Sequence, residues 1–336
     1  MRMSKPKVLL LGEIEHAHDS WSSLSTVADI VIPRSRNRSE FLGECESGHL
    51  DGVLAIYRTY ESVCLTGRFD EDLVLTLPAS VKFVCHNGAG YDQIDIQSCT
   101  HRGIWVSNVP KIVNDAAADA NFFLILGALR KFNTPLMTLR QGEWRGRTPL
   151  PLGQNPQGKV LGILGMGGIG GNLRKKAEAF SMRVIYHNRK PLSEGVAGSA
   201  RYVSFEELLS MSDVISLNLP LNTETHHKIS TREFSLMKKG VVIVNTARGA
   251  IINEAALVEA LDNGHVACAG LDVYEEEPSI HPRLLANPHV ILLPHMSTYT
   301  IETRTGTENL TIQNVRMAVE QGTLLNIVPE QAKHAK

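Results

Sequence analysis

Three apolar runs in the second half of the chain end in polar residues of different chemistry. Val241–Val244 runs into Asn245-Thr246-Ala247-Arg248-Gly249, and Cys268–Val273 passes through Asp272 into Glu275-Glu276-Glu277-Pro278. Val290–Leu293 runs into Pro294-His295. Short continuous runs of this kind read as parallel strands buried on both faces. Consecutive parallel strands end at one carboxyl edge, where such sheets bind ligands. A guanidinium, a carboxylate and an imidazole gathered there suit reduction of a carbonyl. The cation orients a 2-oxo acid, the imidazole passes a proton to the developing alkoxide, and the carboxylate holds the imidazole and stabilises its charged form. Each residue alone has a plainer reading: Arg248 as a helix-capping cation, His295 as a satisfied loop histidine, Glu277 as one solvated member of an acidic run.

Such chemistry needs a hydride source, and a second motif supplies one. Gly165-Met166-Gly167-Gly168-Ile169-Gly170 sets GxGxxG immediately after the apolar run Val160–Leu164 and at the start of a helix. Gly165 permits the tight turn, Gly167 lets backbone approach a pyrophosphate, and Gly170 allows close helix–strand packing. The next strand-like run, Val184–Tyr186, leads into His187-Asn188-Arg189-Lys190. An acid at that strand end would accept from both ribose hydroxyls and repel a 2′-phosphate. Asn188 removes the repulsion, Arg189 can pair with phosphate, and Lys190 adds charge, so the stretch predicts NADP(H) in preference to NAD(H), with NAD(H) still possible. The plainer reading is a solvated loop with two surface cations.

The elements that must position these residues alternate along the chain. Strand-like runs at Val8–Leu11, Ile30–Ile32, Val53–Ile56, Val81–Cys85 and Trp105–Val106 precede a second series from Val160 to Leu293, with helix-period segments such as Gly170–Phe180, Phe205–Met211 and Glu254–Asp262 between them. That rhythm predicts an α/β protein with parallel sheets. A chain of 336 residues exceeds the size at which one core keeps growing, about 250–300 residues, so two domains are expected. Two long helical segments, Ile112–Leu129 and Thr300–Glu320, flank the second series. They suggest that residues 109–298 form a dinucleotide-binding domain inserted into a substrate domain made of 1–108 and 299–336. The net charge of −1 gives no basic excess for nucleic acid, and no apolar run is long enough to span a membrane. The five cysteines are odd in number and lack CxxC spacing, which reads as free thiols in a reducing, cytoplasmic compartment. No metal is expected: His16-Ala17-His18 and His226-His227 each lack a third ligand nearby in sequence.

With the motifs in order, GMGGIG, NTARGAIINEAALVEAL, AGLDVYEEEP and LLPHMS resemble the signatures of the D-isomer-specific 2-hydroxyacid dehydrogenases, and NGAGYDQID (Asn87–Asp95) extends the likeness to the first domain. Within that family the VCHNGAGYDQID and IYHNR stretches are most similar to fungal-type glyoxylate/hydroxypyruvate reductases. The resemblance implies two doubly wound parallel-sheet domains, a Rossmann domain inserted into a flavodoxin-like one. It implies that Arg248 orients substrate, Glu277 pairs with the histidine, and His295 is the acid/base. It places cofactor contacts on Gly165, Gly167, Gly168, Ile169, Gly170, Asn188, Arg189, Lys190, Leu219, Pro220 and Thr225, with Thr246, Ala247 and Asp272 on the nicotinamide side. The substrate carboxylate would meet the loop of Gly88, Ala89 and Gly90, with Arg58 a weaker candidate, and the substrate itself is a small 2-oxo or 2-hydroxy acid. A homodimer is implied too, with Trp144 and Arg145 reaching toward the partner subunit or anchoring their own loop.

Two positions depart from the family pattern. Gly168 stands where many relatives carry arginine, and Ser297 where many carry glycine. Two rival readings remain: a reductase of bulkier branched-chain or aromatic 2-oxo acids, with Tyr57, Tyr60, Trp144 and Tyr299 lining its pocket, and a nucleotide-sensing module like the related corepressors.

Overall fold

The computed structural model describes residues 5–145 and 150–333; residues 146–149, within the irregular stretch around Trp144, lie outside it. The chain divides into two compact units, Met1–Val113 with Thr300–Lys336, and Asn114–Tyr299.

In the first unit, β1 (Lys7–Leu11), β2 (Asp29–Val31), β3 (Val53–Thr59), β4 (Phe83–Asn87) and β5 (Trp105–Ser107) form a parallel sheet in the order β2-β1-β3-β4-β5. This is the flavodoxin-like doubly wound order. Alternate side chains of one strand feed opposite cores: Ile56 packs with Phe41, Leu73 and Val84, while Tyr57 packs with Leu24, Cys85 and Val315. Tyr57 is therefore a fully buried core residue, contrary to the expectation that it lines an aromatic pocket. The helix Ile301–Gln321 brings the end of the chain back onto this unit through Ile312 and Val315. Thr300 caps its start, and Gly322, left-handed at φ 66°, ends it. From its buried face Glu308 accepts the backbone amides of Glu15 (2.9 Å), His16 (2.9 Å) and Ala17 (2.7 Å), fixing the loop after β1.

In the second unit, β6 (Val160–Leu164), β7 (Arg183–His187), β8 (Arg201–Tyr202), β9 (Val214–Leu217), β10 (Val241–Asn245), β11 (Val266–Leu271) and β12 (Val290–Leu292) are parallel in the order β12-β11-β10-β9-β6-β7-β8. Counted from its own first strand this is the Rossmann order with one strand added, and the direction of winding reverses between β6 and β9. β8 has no apolar run to announce it, because both its residues are exposed. The helix Asn114–Leu129 starts two residues later than its apolar pattern, since Lys111 just ahead holds φ 71° and cannot begin a helix. It is buried along most of its length, with Leu124, Ile125 and Ala128 packed against Leu161, Ile163 and Val244 of the sheet.

Glu308→Leu leaves three amides of the 15–17 loop without their acceptor. It is expected to lower the unfolding free energy by about 3 kcal/mol or more. Urea denaturation checks this, and a loss below about 0.5 kcal/mol would show that water replaces the carboxylate.

Candidate active site

The winding reversal between β6 and β9 opens a crevice of about 700 Å³, lined by Gly165, Met166, Gly167, Asn188, Arg189, Lys190, Leu192, Asn218, Leu219 and Pro220. Gly165 sits at φ +94°, and a Cβ there would lie 2.8 Å from the Asn218 carbonyl oxygen. A Cβ on Gly170 would lie 2.8 Å from the Gly165 carbonyl oxygen, whereas on Gly167 it would meet nothing within 4 Å. The turn is thus closed on its protein side and open at Gly167, the form a pyrophosphate requires. Above Gly168 lies the side-chain amide of Asn114, where a Cβ would collide, so this chain fills with Asn114 the space an arginine side chain would need.

Asn188 is engaged inward. Its Oδ1 accepts from the Met166 amide at 2.7 Å and its Nδ2 donates to the Met166 carbonyl at 3.2 Å, a two-point brace across the glycine turn. An aspartate could make only the first of these bonds. Arg189 and Lys190 are exposed on the rim of the same crevice. Asn218 also lines the crevice, and among the described residues its buried Oδ1 has no hydrogen-bond partner.

At the carboxyl edge of the second sheet, His295 Nδ1 lies 2.7 Å from Glu277 Oε2, and Glu277 Oε1 accepts the Tyr274 amide at 3.0 Å. Burial pushes the Glu277 carboxyl up, but the bond and charge of His295, the Tyr274 amide and the charge of Arg248 outweigh it and hold the group below its ordinary range. Arg248 donates from Nη1 to its neighbour's carbonyl, Ala247 O, at 2.7 Å. The turn carrying it is braced by buried Asn245, which accepts from the Ala247 amide (3.0 Å) and donates to the Arg248 carbonyl (2.8 Å). Next in sequence, Gly249 lies against the backbone of Tyr274 and Glu275, where a Cβ would overlap Tyr274. That close approach is what brings the arginine turn beside the glutamate segment.

His295 occupies the left-handed region at φ 52°, a strained conformation for a residue with a Cβ. Asp272, fully buried, holds it there. The His295 amide bonds to the Asp272 carbonyl (2.7 Å), the Met296 and Ser297 amides bond to its two carboxylate oxygens (2.7 and 2.9 Å), and the Ser297 hydroxyl donates to the carboxylate as well. Both carboxylate oxygens of the residue expected on the nicotinamide side therefore serve the histidine turn. Ser297 adds a donor that glycine would lack. Thr246 hydrogen-bonds to Asn121, which continues to Ser216 and Asn218 (2.9, 3.1 and 2.9 Å), a polar chain through the sheet. Asn121 interrupts the apolar run of the helix Asn114–Leu129, the one sequence signal that could have pointed to it.

In the first unit the carbonyls of the glycine loop all face protein: Gly88 O accepts from the Val109 amide (2.9 Å), Ala89 O from Asn108 (2.8 Å), and Gly90 O bonds to His86 Nε2 (2.9 Å). Among the described residues neither the Ala89 nor the Gly90 amide has an acceptor. Arg58 is fully buried beneath this loop. His226, His227 and Glu275 also lie close together; the two rings stack with centroids 4.1 Å apart and planes 29° from one another, and His227 Nε2 bonds to Glu275 at 2.5 Å. The His227–Glu275 bond ties the segment after Pro220 to the segment after Asp272.

Residues 122–297 match the model of the D-isomer specific 2-hydroxyacid dehydrogenase NAD binding domain. The chain belongs to the D-isomer-specific 2-hydroxyacid dehydrogenase family. It is 53% identical over 326 residues to the 4-methyl-2-oxopentanoate reductase A of Aspergillus oryzae, covering 97% of this chain and 98% of that one. It is 46% identical to the glyoxylate reductase 1 of Saccharomyces cerevisiae, covering 97% and 95%. The crystal structure of a glyoxylate reductase from Paecilomyes thermophila superposes with a TM-score of 0.95 at 51% identity, over 98% of this chain and 100% of that one. The family accounts for a nicotinamide dinucleotide cofactor and for an enzyme that acts on oxo or hydroxy acids.

Because its carboxyl is held low, Glu277 contributes stability above its unfolded value, near 4.3, and loses it as pH falls through the lower folded value. The Tm gap between wild type and Glu277→Gln should therefore be largest near neutral pH and close below about pH 4. A gap that is constant or widens on acidification would contradict the pairing.

Proposed function

We propose that this dehydrogenase reduces small 2-oxo acids, glyoxylate and hydroxypyruvate first, to 2-hydroxy acids of the D series where chiral, preferring NADPH to NADH. The observation that carries the reaction is the 2.7 Å bond between His295 Nδ1 and Glu277 Oε2. With Nδ1–H on the carboxylate, His295 holds the transferable proton at Nε2 and passes it to the carbonyl oxygen as charge develops there. Glu277 keeps the ring oriented and stabilises the charged imidazole before the transfer. Arg248 binds and orients the 2-oxo acid. The amides of Ala89 and Gly90 take the substrate carboxylate, which suits a loop whose carbonyls are all turned the other way. When bound, the dinucleotide supplies the hydride. Gly165, Gly167 and the helix that begins at Gly168 receive its phosphates, Thr225, Leu219 and Pro220 line its path, and Arg189 with Lys190 favours a 2′-phosphate.

The bulkier-substrate reading has its own support, since the relative at 53% identity is named for a branched-chain 2-oxo acid. Trp144 and Tyr299 are largely exposed, ready to cover a larger side chain. We further propose a cytoplasmic homodimer. Four of the five cysteines are buried free thiols, and the helix Asn133–Arg140 exposes Leu136, Met137 and Leu139, apolar area suited to a second subunit. Among the described residues no helix is long and apolar enough to cross a membrane.

Steady-state kcat/KM with glyoxylate, hydroxypyruvate, 4-methyl-2-oxopentanoate and phenylglyoxylate, each with NADPH and NADH, tests the reading. The highest values are expected for the two small acids with NADPH. An ordering led by 4-methyl-2-oxopentanoate moves the enzyme to the branched-chain class, and absence of turnover favours a sensing module. Arg189→Ala should weaken NADPH by roughly ten- to hundredfold and leave NADH nearly unchanged. A ratio that Arg189→Ala does not move would return the two cations to solvated surface.

A further inference from the structure

The first unit contains a buried cation that the reaction described above does not use. Arg58, at the end of β3, is fully buried, and among the described residues no carboxylate lies within ion-pair distance of it. Its Nη2 donates to Gln93 Oε1 at 2.8 Å, its guanidinium carbon lies 5.1 Å from the centre of the Phe69 ring, and among the described residues its Nε has no partner. Burial draws its pKa down to about 10, against the raising influence of Asp92, Glu61 and Tyr60, so it stays charged at neutral pH. Placing an unneutralised guanidinium in a core is costly where a hydrocarbon would fill the same space.

What Arg58 faces gives it a role. In the parallel pairing of β3 with β4, Arg58 is the register partner of His86, and Arg58 Nη1 lies 3.4 Å from His86 Nδ1. A guanidinium can only donate, so it favours the imidazole tautomer in which Nδ1 accepts and Nε2 carries the proton. Nε2 is the atom that meets the Gly90 carbonyl at 2.9 Å. The same ring fills the space over Gly88, where a Cβ would come within 2.6 Å of Nε2. His86 is itself 1% exposed, so the substrate does not reach it.

We propose that His86 is a positioning residue for substrate: with its tautomer set by Arg58, it clamps the Gly90 carbonyl inward and so aims the Ala89 and Gly90 amides at the substrate carboxylate. Arg58, named above as a weak candidate for direct contact, then acts through His86 instead. The inference rests on the reading that this loop binds the carboxylate. It makes the β3–β4 pair a determinant of affinity for the acid and leaves the proton and hydride steps to other residues.

The experiment compares the full-length enzyme with His86→Phe, which keeps a ring over Gly88 but removes the donor, and His86→Gln, whose side-chain amide can donate again. Measured are KM for glyoxylate, Kd for oxamate, kcat at saturation and Kd for NADPH. His86→Phe is expected to raise KM and the oxamate Kd about tenfold, with kcat and the NADPH Kd within about twofold of wild type. His86→Gln should recover most of the loss. Arg58→Met, which keeps the ring and releases its tautomer, should shift KM the same way and serves if His86→Phe does not fold. Wild-type KM in folded His86→Phe, or a parallel fall in kcat and NADPH affinity, would overturn the proposal. Ala89→Pro deletes a loop amide directly and separates the two failures. If it leaves KM unchanged the carboxylate loop itself is wrong; if it alone raises KM, only the role of His86 is.

Discussion

Everything on the reactive side of the second unit depends on the buried carboxylate of Asp272. A charge without solvent must be met by donors, and the donors available are the amides and hydroxyl of the turn that carries His295. Satisfying the carboxylate forces that turn into one shape. The shape includes a left-handed His295, which an isolated histidine would leave readily. Once the backbone is fixed, the ring has only its torsions to settle, and Glu277 settles those through Nδ1. His295 is thus held by two carboxylates with separate duties, one gripping its backbone and one its ring.

The glycine loop of the first unit reaches a comparable result with neutral groups. Three side-chain and backbone donors turn its carbonyls inward, and among the described residues the Ala89 and Gly90 amides are left without an acceptor. The glycine turn of the second unit follows the same logic, with Asn188 reading both polar atoms of Met166 so that the turn cannot rotate. In each case the conformation of a backbone turn is specified by bonding one set of its polar atoms to the protein. Preorganisation of this kind spares the enzyme reorganisation when charge develops in the reaction.

The sheet core was legible in the sequence because both parallel sheets are buried on both faces, which turns each strand into an apolar run. β8 was not, since its two residues are exposed and carry no hydrophobic signal. The pairing of Glu277 with His295 was legible in the polar residues that end two apolar runs, where the family motifs agree. The roles of Asp272 and Asn188 were not readable. A sequence shows that an acid or an amide ends a strand, but not whether it turns toward ligand or back onto the chain. His86 escaped notice because a histidine inside an apolar run, between Cys85 and Asn87, reads as a satisfied core residue until the guanidinium across the strand pair is seen.

The claim that Asp272 works through His295 is tested most directly by a double-mutant cycle on the single-turnover rate of NADPH oxidation by glyoxylate. The four proteins are wild type, Asp272→Asn, His295→Asn and the double variant. The account predicts that Asp272→Asn slows the step at least about tenfold in the wild-type background and hardly at all once His295 is gone. An equal loss in both backgrounds would contradict it, and would place Asp272 in direct contact with the reacting groups or in the general stability of the sheet.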